Sequence, residues 1–184
     1  MSNKPTVFIA SSSEALPVAE AVHIKLEQEL RPKLWENAFD LSSVTINTLI
    51  NKTKEADYAV FVFHADDKTL IREQAYSSVR DNVVLELGMF IGALGLEKCF
   101  IIVPKSSEAT FRLPTDLAGV TATFYDDQEL DFTDAVTGSC AKIKQSIKKL
   151  EAKKTEIKTT SETDTLKQQL ANTIAYYPNS VNCT

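Results

Sequence analysis

Three cysteines, Cys99, Cys140 and Cys183, are all that this chain of 184 residues holds, and they are far apart and odd in number. Such scarcity gives no disulfide framework and no ligand spacing for a structural zinc, so a reducing compartment, the cytoplasm, is the expectation. Positive charge is also in deficit. Twenty Lys and Arg stand against 25 Asp and Glu, a formal net charge of −5. A general nucleic-acid binder would show the opposite balance, so no nucleic-acid partner is expected, although a local site can still take a small anion. Long apolar runs are missing too. None reaches the roughly 18–20 residues of a membrane span, and the opening Met-Ser-Asn-Lys-Pro-Thr lacks the apolar core of a secretory signal. No acid pair, catalytic triad or metal cluster can be assembled from sequence neighbours. His64, Asp66 and Asp67 have no further ligand cluster beside them, and His23 reads as a partly buried helix residue.

What the chain does have is 43% hydrophobic residues, enough for the core of one globular domain with an appendage. The most informative stretch is Arg80 to Gly95, which reads as an enclosed helix, since Val83 to Leu94 is apolar on nearly every side. Asp81 suits the N-cap. Gly88, Gly92 and Gly95 fall at helical spacing and predict a bare face that another backbone can approach closely. Each glycine in a helix interior costs up to about 1 kcal/mol, which close packing or function should offset. Glu86 is the one acid in that body. It either reaches solvent at a cleft, as an ordinary solvated acid, or occupies an apolar pocket as a functional carboxylate.

Along the chain, Thr6–Ala10 reads as a buried strand running into Ser11, Ser12 and Ser13. Serines there offer hydroxyls and amides to phosphate or ribose, or simply cap the following helix at about 15–30. A short strand at Lys33–Trp35 follows, then a loop carrying Phe39. Trp35 and Phe39 fit either ring contacts to a base or nicotinamide, or a lid over the core. A helix over about 46–54 precedes the clearest strand, 57–63, and the polar stretch from His64 to Arg80 reads as a long functional loop. Beyond the organising helix come strands at 99–104 and 119–125 and a closing helix at 132–150. The expected division is a domain over 1–150 and a polar linker or tail over 151–184, with a short helix near 166–177. Lysines between Lys142 and Lys158 read as a solvated face. Strand and helix alternate, which predicts an α/β fold with a mostly parallel five-stranded sheet and helices on both faces. Ligands of such sheets bind beyond the C-terminal strand ends. That rule gathers Ser11–Ser13, the Trp35–Ser43 loop, the His64–Arg80 loop and the start of the glycine-bearing helix.

The ordered set Phe-Ile-Ala-Ser-Ser-Ser-Glu, Trp35 with Phe39 and Ser42, Asp57–Phe63, Arg80–Gly88 and Leu113–Leu117 resembles the bacterial TIR-like family of nucleotide-binding proteins, of the CBASS and Pycsar effector type, over about residues 5–150. The resemblance implies a flavodoxin-like TIR fold and cleavage of NAD at the nicotinamide–ribose bond. It also implies service as an effector of cyclic-nucleotide-signalled antiphage defence, with a fused or partner cyclic-nucleotide sensor and self-association through TIR domains. The family's catalytic glutamate maps to Glu86. NAD is then the substrate, with no further cofactor. Asp81 and Asn82 would orient Glu86 or hold ribose hydroxyls, Ser11 and Ser12 would contact ribose or phosphate, and Trp35 and Phe39 would supply ring contacts. The competing readings are a nucleoside 2-deoxyribosyltransferase-like N-glycosidase, which would use the same glutamate, and a non-catalytic TIR–TIR interaction module.

Overall fold

The computed structural model describes residues 4–35, 46–63, 67–71, 74–78, 81–109 and 119–176, with the backbone alone over 67–71, 74–78 and 81–82 and at a few positions beyond Ile157. By contact, the chain divides into a unit over Met1–Lys144 and a second over Gln145–Thr184.

In the first unit the strands are β1 (Thr6–Ser11), β2 (Arg31–Trp35), β3 (Tyr58–Val62), β4 (Asp67–Ile71), β5 (Gln74–Ser78), β6 (Cys99–Pro104) and β7 (Thr121–Tyr125). The helices are α1 (Leu16–Leu26), α2 (Ile46–Glu55), α3 (Asp81–Leu94) and α4 (Phe132–Ala135), followed by α5 (Thr137–Tyr176), which continues into the second unit. Five strands form one sheet in the order β2-β1-β3-β6-β7, and every pairing in it is parallel. This is the expected doubly wound α/β fold. β1, β3 and β6 are buried along their whole length, as central strands covered on both faces must be. Their unbroken apolar runs are the sequence signal of that position.

Alternation along these strands divides the core. Phe8, Ala10, Ala59, Phe61, Phe63, Cys99, Ile101 and Val103 share one cluster with Leu49 of α2 and Val83, Leu87 and Phe90 of α3. Phe8 stacks on Phe90 with centroids 4.3 Å apart, and Phe61 meets the same ring edge-on at 5.7 Å. The intervening residues of β1 point to the opposite face, on which α1 packs through Val18, Val22 and Leu26.

Four expectations need correction. First, the polar stretch between β3 and α3 holds a two-stranded antiparallel hairpin, β4–β5, as a separate sheet. Its strands are too short and too polar to rise above a loop reading. Second, Gly88 and Gly92 do not admit a close backbone. Both are exposed, and a Cβ at either would meet nothing within 4 Å. The helix turns Val83, Leu87 and Phe90 to the sheet, and the glycines fall on the outer side. Gly95 is different. Its φ of 95° and ψ of 152° end α3 in a conformation that only glycine adopts freely. Third, the closing helix is interrupted at Val136 into α4 and α5.

Fourth, the segment read as a linker is helical through Tyr176. Between Gly138 and Pro178 there is neither glycine nor proline to stop it. In the second unit, Thr155, Thr159, Thr160 and Thr163 donate to carbonyls four residues back at 2.9–3.0 Å. Ile157, Leu166 and Leu170 are each more than 60% exposed, so no continuous apolar stripe drives this helix. Among the described residues, no helix is long and apolar enough to cross a membrane.

Candidate active site

The chain runs outward from β1 to β2, then returns to place β3 on the other side of β1. That reversal opens a crevice beyond the C-terminal ends of β1 and β3, where ligands of this sheet class bind. Ser11 closes β1 opposite Val62. Ser11 and Ser12 are both buried. The Oγ of Ser12 accepts from the amide of Ala15 at 3.3 Å, and its carbonyl oxygen accepts from the same amide at 3.2 Å. Ser12 therefore shapes the turn into α1, which begins at Leu16 with Pro17 in its first turn. The hydroxyl of Ser13 donates to Glu14 Oε2 at 3.1 Å.

α3 is the crossover between parallel β3 and β6, so it starts at the strand-C-terminal edge and descends across the sheet. Glu86, its sixth residue, stands about 7–8 Å below that start. The side chain is 6% exposed, and it lies on the inward side of α3 between Val83 and Phe90, one turn away in each direction. Of the two alternatives for this acid, the solvated edge is excluded. Burying a carboxylate costs desolvation energy that its interactions must offset.

Trp35 ends β2 in register with Ala10. Its ring lies 5.9 Å from that of Phe8, tilted by 37°. Together they form part of the wall of a cavity of about 400 Å³ closed on its other side by Lys52, Glu55 and Ala56, with Lys33 also lining it. The carboxylate of Glu55 takes Lys52 Nζ at 3.1 Å and Lys33 Nζ at 3.5 Å. The hydrogen bond from Lys52 and the two ammonium charges hold Glu55 below the usual carboxylate range. The expected ring contacts of Trp35 thus face this cavity beside α2. Phe8, Lys33, Lys52 and Glu55 were not singled out from sequence. Phe8 reads there only as a strand residue, and the others as surface charge.

Phe39 and the side chains of Asp81 and Asn82 lie outside the described residues, as do His64, Asp66 and the Leu113–Leu117 segment. Among the described residues no group of three or more His, Cys, Asp or Glu is arranged to hold a metal ion. Cys99 and Cys140 are buried and unbonded, and burial pushes both thiols up to about 12. Neither is a nucleophile at neutral pH.

Comparison with known proteins fits this frame. The family model described as CAP12/Pycsar effector protein, TIR domain, matches residues 6–127. A CD-NTase-associated protein 12 from Lachnospiraceae bacterium (strain RUG226) is 35% identical over 150 residues, 78% of this chain and 46% of that protein. The Pycsar effector protein PaPycTIR of Pseudomonas aeruginosa is 37% identical over 121 residues, 65% of this chain and 39% of its own length. The chain thus spans less than half the length of these curated relatives. Among solved structures, a diflavin flavoprotein A3 from Nostoc sp. gives a TM-score of 0.47 at 12% identity over 81% of this chain and 98% of that one. The matched span, well over half of the chain, makes it a member of the CAP12/Pycsar effector TIR-domain family.

Proposed function

We propose that this chain is the TIR part of an antiphage defence effector and that it hydrolyses NAD at the nicotinamide–ribose bond. The observation that carries the reading is Glu86, a single buried carboxylate on the inward side of α3 in a matched TIR domain. Nicotinamide leaves a pyridinium ribose as a neutral molecule, so its departure needs little acid catalysis. The barrier is the positive charge that develops on the ribose carbon and ring oxygen. One carboxylate held against that carbon stabilises the charge, or forms a transient ester that water then opens, as in retaining glycoside hydrolysis. Burial strengthens this effect, because a fixed charge in a poorly solvated wall acts through a lower dielectric. In this reading Ser11 and Ser12 mark the phosphate or ribose side of the crevice, with the turn at Ala15 holding Ser12 in place. Asp81 and Asn82 serve the ribose hydroxyls.

The same reading assigns activation to self-association of TIR domains, triggered by a cyclic-nucleotide sensor fused to the chain or acting as its partner. The test is release of nicotinamide from NAD, followed in dilute solution and with a crowding agent that drives the protein together. Wild type should release nicotinamide under crowding, and Glu86→Gln should be slower by roughly a thousandfold or more. An equally active Glu86→Gln would overturn the assignment. Release of free base from deoxynucleosides, with NAD left intact, would transfer the chemistry to the deoxyribosyltransferase reading. No turnover of either substrate in the assembled state would leave an interaction module.

A further inference from the structure

The cavity beside α2 is not part of the Glu86 crevice. Its walls come from the body of β1, from β2 and from the last turn of α2, and none of the described residues that line it belongs to α3. Its volume of about 400 Å³ is in the range of small-molecule sites. We infer that this cavity is a second ligand site, which takes a flat aromatic anion about the size of a nucleoside monophosphate.

Three observations converge on that chemistry. The first is the aromatic wall. The Phe8 and Trp35 rings, 5.9 Å apart and tilted, present apolar faces against which a planar ring system packs. Ala56, which also lines the cavity, is too small to fill it. The second is a hydrogen-bond donor. The indole Nε1–H of Trp35 is buried and meets no acceptor among the described residues. Buried donors are almost always satisfied, and a ring nitrogen or carbonyl of a bound heterocycle supplies the acceptor that the fold leaves out. The third is charge. Among the described residues, Lys33 and Lys52 converge on one carboxylate, Glu55, which leaves one positive charge over at the cavity. The side chains of both lysines keep between a third and a half of their surface in solvent, so an arriving anion reaches them without burying an unpaired charge.

The site has a physical connection to α3. Phe8 forms part of the cavity wall and stacks on Phe90 at 4.3 Å, one helical turn beyond Glu86. A ligand packed against Phe8 therefore bears on the ring that seats the glutamate's helix.

Trp35 is the only tryptophan of the chain, so its fluorescence reports this cavity directly. The full chain is titrated with adenosine monophosphate, adenosine and inorganic phosphate. Adenosine monophosphate should change the emission saturably. Adenosine should bind on the order of tenfold more weakly, and phosphate alone should leave the emission unchanged. The double variant Lys33→Gln, Lys52→Gln should lose a comparable factor, whereas Lys33→Arg, Lys52→Arg should retain binding. Ala56→Leu, checked for folding by circular dichroism, should abolish the response by filling the cavity. No emission change with millimolar nucleotide overturns the inference. Equal binding of adenosine removes its anionic part, and loss of the response in Glu86→Gln moves the site to α3. None of these readings depends on NAD turnover, so they stand or fall apart from the proposed activity.

Discussion

Replacing Gly88 and Gly92 by alanine, singly and together, should stabilise the protein. In an exposed helix interior glycine is about 0.8–1 kcal/mol less favourable than alanine, because the unfolded chain loses more freedom there. The gain survives only if the added methyl has room. Here a Cβ at either position would meet nothing within 4 Å, so no strain offsets it. Neither added methyl would touch a side chain, so the propensity gains sum to about 1.5–2 kcal/mol for the pair. With a urea slope of about 2 kcal/mol/M, the midpoint should rise by roughly 0.7–1 M. Trp35 fluorescence follows the transition in the sheet-bearing unit. Gly95→Ala is the control of opposite sign. With φ at 95° and ψ at 152°, alanine is forced into a region that non-glycine residues avoid, at a cost of about 1–3 kcal/mol. Destabilisation by the pair, or stabilisation by Gly95→Ala, would refute the assignment of the outer face of α3.

Phe8→Ala removes a 3%-exposed ring that touches Phe90, Phe61 and Trp35. The loss should be about 3–5 kcal/mol, read as a fall in melting temperature of roughly 8–15 °C. Cys99 and Cys140 should resist a chromogenic thiol reagent at pH 8 in the native protein and react once urea is added. Burial holds their thiols at about 12 when folded, against 9.0 for an ordinary thiol. A raised folded value means that the stability they confer is complete below pH 9 and is lost as pH climbs toward 12. Urea midpoints measured from pH 8 to 11 should therefore fall, and Cys99→Ala, Cys140→Ala should flatten the slope. A midpoint that holds constant through pH 11 would contradict the burial of these thiols.

The sheet was legible because β1, β3 and β6 are short unbroken apolar runs, and only a strand covered on both faces tolerates such a run. α3 was legible as an enclosed helix, but not its rotation. Glycine spacing points to the glycine face as the close-packed one, and it is the rings of Phe8 and Phe61 on the facing strands that receive Phe90 and turn that face outward. Glu86 was identifiable as an anomaly from chemistry alone, and its proposed role came from the family resemblance. The cavity was not legible at all. Lys33 and Lys52 are 19 positions apart in sequence, and only the packing of α2 beside β2 brings both to Glu55. The helix beyond Leu150 was underestimated because its amphipathic pattern is weak, while the absence of helix breakers counts for more than pattern.

The strand order also carries a consequence for biosynthesis. After β1 and β2, each further sheet strand adds to the growing edge: β3 beside β1, β6 beside β3, β7 beside β6. An emerging nascent chain can thus assemble the sheet in the order in which the ribosome releases it. The hazard on that route is the interval after Pro104. Until Thr121–Tyr125 docks, Cys-Phe-Ile-Ile-Val-Pro stands as an open edge whose side chains are wholly buried in the finished protein. Such an edge is a template for pairing with a neighbouring polypeptide. Translation that pauses or terminates between residues 104 and 121 should yield aggregates, whereas termination after the early helical turns of α5 should yield soluble protein.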